Sequence, residues 1–175
     1  MHLRWKKPPH GLEMLELGDN FNQSLEKTYL PAKLKFLRSG REFNQSLVST
    51  VLPYGLRTIQ FGECFNQALQ NTRFPDTIQK LIFGARFNKS IDRVLLPDGL
   101  ELCFGGEHFN QSLDNDNVVL PAGLKHITFG KDFNQPLETI RFPGGIASIR
   151  IPYGLSRTIP AMLTQIVVDP PIAGG

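Results

Sequence analysis

The stretch Leu56-Arg57-Thr58-Ile59-Gln60-Phe61-Gly62-Glu63-Cys64-Phe65-Asn66-Gln67-Ala68-Leu69 decides the fold. Ile59 and Phe61 alternate with Thr58 and Gln60, the period of two expected of a half-buried strand. Gly62 then allows a tight bend where a side chain would obstruct it. Phe74-Pro75 closes the stretch. A proline has no N–H to give to a sheet, so it belongs at the boundary of the next extended segment.

The same text recurs on both sides. Phe-Asn stands at 21–22, 43–44, 65–66, 87–88, 109–110 and 133–134, a spacing of 22 four times and then 24. Proline keeps step at 31, 53, 75, 97, 121 and 143. The two extra residues fall in Asp114-Asn115-Asp116-Asn117, which reads as a solvated loop insertion. It lacks the following Gly and the terminal Glu of a calcium loop. All thirteen Phe fall within the repeat, so the Phe-rich composition is a product of periodicity.

A unit of 22 residues with one short strand cannot offset the ordering of its own backbone by burying a few side chains. Stacking on neighbours shares that burial. The expected fold is a repeat solenoid. Each coil gives one short strand to a parallel β-sheet, with turns and loops on the other side. No stretch holds a 3.6-residue period for more than two turns, so few or no long helices are expected.

The Gly-x-x-Phe-Asn-Gln-Ser-Leu and Leu-Pro-x-Gly-Leu stretches resemble FNIP repeats, a variant of the leucine-rich repeat. The resemblance covers residues 9–146. Ala68, Lys89, Ile91 and Pro136 depart from it, standing where Ser, Gln, Leu and Ser are the rule. It implies a leucine-rich-repeat-like solenoid acting as an interaction module.

Two columns carry structural roles. Phe21, Phe43, Phe65, Phe87, Phe109 and Phe133 should stack as a spine inside the coils. Asn22, Asn44, Asn66, Asn88, Asn110 and Asn134 should satisfy backbone groups that the turns leave without ladder partners. Equivalent amides in successive units could also bond one another as a ladder.

Any binding site belongs on the outward strand positions. One column reads Met14, Phe36, Thr58, Lys80, Leu102, His126, Ser148. The other reads Glu16, Arg38, Gln60, Ile82, Phe104, Thr128, Arg150. Phe36, Arg38, Gln60, Lys80, Ile82, His126 and Thr128 are the candidate partner-binding residues. In residues 100–106 two registers are open. Strict spacing leaves Leu102 and Phe104 outside, in an apolar patch with Phe36 and Ile82. A one-residue slip buries both, and the area gained by burying Leu and Phe rather than Cys and Gly favours it.

Catalytic chemistry is not expected. His2, His10, His108 and His126 have no partner at metal-ligand or triad spacing, and no phosphate-loop or dinucleotide motif occurs. No cofactor and no metal are implied. The net charge is +3, and no run reaches the ~18 apolar residues of a membrane span. Nucleic-acid binding is disfavoured, because Lys35, Arg38, Arg57, Lys80, Lys125 and Arg150 share their face with Glu13, Glu16 and Glu101. Cys64 and Cys103 lie nearly two repeats apart, beyond disulfide reach, which fits a reducing, cytoplasmic or otherwise intracellular setting.

The organisation expected is a remnant of a preceding repeat or a cap over residues 1–8, six repeats over 9–146, and degenerate short repeats, cap and tail over 147–175. Uncapped ends would allow self-association. The function expected is non-enzymatic protein binding through the outward face. The alternative is a purely structural scaffold, or a fragment of a longer array, with no specific ligand.

Overall fold

The computed structural model describes residues 10–103, 105–114, 118–152, 155 and 166–168. The whole of the expected N-terminal remnant and most of the C-terminal cap, together with Phe104, therefore lie outside the described residues. Among the described residues eight strands run in chain order: β1 Met14–Glu16, β2 Phe36–Arg38, β3 Thr58–Gln60, β4 Lys80–Ile82, β5 Glu101–Cys103, β6 His126–Thr128, β7 Ser148–Ile151 and β8 Ile166–Val168. They form one parallel sheet whose spatial order equals their sequence order. A short 3-10 turn lies at Leu137–Thr139.

Three turns return each coil to the next strand. The Pro53 carbonyl accepts from the Leu56 N–H, the Gly62 carbonyl from Phe65, and the Leu69 carbonyl from Thr72. Each of these bonds has counterparts in neighbouring units. The recurring Pro, Gly and Leu are thus the first residues of three successive bends. Gly62 has a further task. A Cβ there would drive into the Gly40 carbonyl of the unit below, and the same holds between Gly84 and Gly62. Close approach between stacked units demands glycine here, as well as the bend itself.

The interior is one continuous apolar column. Phe43, Phe65, Phe87 and Phe109 are at most 1% exposed. Rings of successive units stack nearly parallel, at 6.3 Å for Phe43–Phe65, 6.1 Å for Phe65–Phe87 and 5.9 Å for Phe87–Phe109. The strand-end rings lie face to face on this spine, Phe61 on Phe65 at 3.9 Å and Phe83 on Phe87 at 4.1 Å. Such pairs add about 0.5–1.5 kcal/mol each beyond the area they bury.

These spacings also set the curvature. Parallel strands sit about 4.8 Å apart. Next to the sheet, Phe61 and Phe83 are 5.2 Å apart, and further out Phe65 and Phe87 are 6.1 Å apart. Equivalent points diverge away from the sheet, so the stack bends with its strands on the concave side.

The Asn column is directional. Asn22 Oδ1 accepts from the Asn44 N–H at 2.9 Å, and Asn44 Oδ1 from the Asn66 N–H at 2.9 Å. The pattern continues from Asn66 to Asn88, Asn88 to Asn110 and Asn110 to Asn134. The bonds run from each side chain to the next unit's backbone, rather than from amide to amide. The following Gln adds a second donor to the same oxygen, as Gln67 Nε2 does to Asn44 at 2.9 Å.

β5 takes the slipped register. Lys80 pairs with Glu101, Leu81 with Leu102 and Ile82 with Cys103, and Leu102 is 2% exposed. Leu102 therefore belongs to the core, and Glu101 occupies the outward position that strict spacing assigned to Leu102.

Candidate partner-binding face

Strand alternation puts one side chain in three inward and two outward. In β1 and β2 the centre is buried and both flanks are exposed; in β4 Lys80 is exposed and Ile82 half-buried. The first outward column is Met14, Phe36, Thr58, Lys80, Glu101, His126 and Ser148. The second is Glu16, Arg38, Gln60, Ile82, Thr128 and Arg150, placed by the strand register. The sequence candidates Phe36, Lys80 and His126 share the first column, and Arg38, Gln60, Ile82 and Thr128 share the second. Phe36 is 42% exposed and Met14 54%. Without Leu102, the described apolar features of this face are Met14, Phe36 and Ile82.

The polar side chains interact across strands. Lys35 Nζ meets Glu13 Oε1 at 2.7 Å, and Arg38 donates to Glu16 Oε1 at 3.3 Å. The Lys35 hydrogen bond and charge hold the Glu13 carboxyl below its ordinary range. His126 Nδ1 lies 2.8 Å from Ser148 Oγ. That pair was missed in the sequence because its partners sit one repeat apart, a spacing outside the usual metal or triad templates. Among the described residues no carboxylate hydrogen-bonds His126, so the third member of a triad is not in place. His108 likewise finds Asp132 at 2.7 Å, one unit on, at the Gly-turn corner. At the same corner Lys131 meets Glu107 at 2.6 Å, which lowers the Glu107 carboxyl and raises the Lys131 ammonium.

Cys64 is a free thiol on that corner, donating to Glu42 at 3.6 Å, and burial pushes its pKa up. The Cys103 side chain lies outside the described set. Among the described residues no three His, Cys, Asp or Glu side chains converge as metal ligands, and no helix is long and apolar enough to cross a membrane.

A second surface was missed in the sequence altogether. Tyr29, Val51, Leu95 and Val119 are 79–86% exposed and stand at equivalent places, just before the Leu of each Leu-Pro, which is buried at Leu30, Leu52 and Leu120 and half-buried at Leu96. Arg73 interrupts them. Their signal was the same one-repeat spacing, but a large residue next to Leu-Pro reads as the lead-in to a buried segment.

Residues 9–38, 65–107 and 109–154 match the model of the FNIP Repeat. CroV588, whose crystal structure is described as that of a novel circular LRR protein, is similar over 92% of this chain, at 33% identity and a TM-score of 0.76. The overlap spans 27% of that chain, so this one corresponds to about a quarter of its length. No curated protein sequence matches. With the matched segments spread over more than half of its residues, and each of six repeats carrying a Phe-Asn pair followed by a Leu-Pro or Phe-Pro, the chain belongs to the FNIP repeat family.

Proposed function

We propose that the chain is a non-enzymatic module that binds a protein partner through the concave, outward face of its strands. One observation carries this reading. The interior columns repeat nearly the same residue in every unit, whereas the outward columns change from strand to strand and present exposed Phe36, Lys80 and His126 on a curved surface. Stacked repeats use such a surface for binding. Phe36, Arg38, Gln60, Lys80, Ile82, His126 and Thr128 form the contact set. The free thiol of Cys64 supports work in a reducing, intracellular compartment.

The test is capture of partners from the native cell with the parent chain and with a Lys80→Ala/Ile82→Ala/His126→Ala variant. The variant is expected to lose the partner while melting like the parent. Partner retention by the triple variant counts against the outward face. The second reading, a structural arc within a longer array, draws on the circular architecture of CroV588 and gains if capture is unchanged.

A further inference from the structure

The two halves of the outward face differ in charge. On β1 and β2 the carboxylates of Glu13 and Glu16 are engaged by Lys35 at 2.7 Å and Arg38 at 3.3 Å. What remains exposed between them is apolar, Met14 and Phe36. From β3 onward, Arg57, Lys80 and Lys125 are exposed and make no ion pair among the described residues. Thr58, Gln79, Lys80, Glu101 and Lys125 surround a shallow cavity of 430 Å³. Glu101, half-buried, is the one acid of this half among the described residues.

We propose that this half of the face receives an acidic peptide segment, whose neighbouring apolar side chain seats against Phe36 and Ile82. The inference rests on the outward face being the docking surface and adds the chemistry of what docks. Carboxylates form charge-assisted bonds with exposed Lys and Arg, and such complementarity sets partner choice and encounter rate. From β3 to β6 the cations span three strand steps, about 14 Å, which four or five extended residues cover. Thr58 and Gln79 supply neutral donors in the same cavity. A polynucleotide fits less well. Its phosphates want an unbroken positive track, and Glu101 stands between Lys80 and Lys125.

The test selects a random peptide library displayed on phage against the parent chain, then measures the enriched peptides on two variants with parent-like melts. One is Arg57→Glu/Lys80→Glu/Lys125→Glu, the other Phe36→Ser/Ile82→Ser. Enriched peptides should carry clustered Asp or Glu beside a Leu, Ile or Phe. They should bind the charge-reversed variant at least roughly tenfold more weakly, and the parent more weakly at high salt. Peptides without acidic enrichment that lose binding on the Phe36/Ile82 variant would keep the outward face and overturn the acidic chemistry. Peptides that bind both variants like the parent would overturn both. A single-stranded oligonucleotide retained by the parent, with no acidic peptide enriched, would overturn the inference in favour of nucleic acid.

Discussion

In the spine, Phe43, Phe65, Phe87 and Phe109 occupy the same place in four successive coils, each at most 1% exposed. On the far side of the same strands, the outward column runs Phe36, Thr58, Lys80, Glu101, with no type used twice. One 22-residue unit thus produces a column that tolerates a single residue type and another that shows no preference. Contact makes the difference. Each spine ring is packed above and below by its own kind at about 6 Å, so a change in one unit disturbs two others. The outward side chains are exposed or half-buried, and their contacts, such as Arg38 with Glu16 and His126 with Ser148, do not demand one residue type. Stability should therefore be read from the first column and recognition from the second.

Replacing Phe87 with Ala tests this division at its strongest point. Phe87 stacks on Phe65, Phe83 and Phe109, and its removal opens a cavity in a column that cannot collapse without shifting neighbouring coils. A loss of about 3–5 kcal/mol is expected by denaturant unfolding. Lys80→Ala, in the same unit but on the outward face, should stay within about 0.5 kcal/mol of the parent. Comparable losses from the two changes would erase the distinction.

The Asn column sharpens the comparison, because here one unit breaks the rule. Asn44 Oδ1 accepts from the Asn66 N–H and from Gln67 Nε2, both at 2.9 Å. Asn66 Oδ1 accepts from the Asn88 N–H at 3.0 Å, but Lys89 stands where Gln would add the second bond. Asn44→Leu should therefore cost about 2–3 kcal/mol and Asn66→Leu about 1–2, since each net hydrogen bond contributes about 1 kcal/mol. Thermal melts of the two variants decide the order. Equal losses would mean that the Gln bond contributes nothing.

How far the sequence reached follows the same line. Strand positions, the parallel sheet and the stacked coils were legible, because a period of 22 multiplies one local pattern into a fold. The slip at Leu102 was legible as a preference for burying the larger residues. The direction of the Asn bonds was not, since a side-chain amide can serve its own turn or the next coil, and only the stacking distance chooses. The pairing of His126 with Ser148 was hidden for the same reason: its partners are neighbours only after the coils stack. The exposed Tyr29, Val51, Leu95 and Val119 were hidden differently, because hydrophobicity alone does not say which of two adjacent large residues turns inward. As for the binding face, its location follows from alternation, but its division into a neutralised half and a cationic half emerged only with the Glu13–Lys35 and Glu16–Arg38 pairs.

The smallest expected change in the interior has the opposite sign and probes a place where the interior itself departs from uniformity. Thr50 and Thr72 are 6% and 5% exposed, and their hydroxyls have no hydrogen-bond partner among the described residues. Val94, Val118 and Ile140 fill the same column in later coils, buried to a similar degree. A buried hydroxyl without a partner loses its hydration and gains nothing in return. Valine keeps the branched shape and removes the polar atom, and an apolar replacement of the same shape is neutral or stabilising. Thr50→Val and Thr72→Val should each raise stability by about 1 kcal/mol, seen as a higher denaturation midpoint with an unchanged slope. The two sites lie in adjacent coils, so the double variant should show whether the gains add or couple. A loss in either single variant would mean that the hydroxyl is satisfied in solution, and that the Thr and Val versions of this column are built differently.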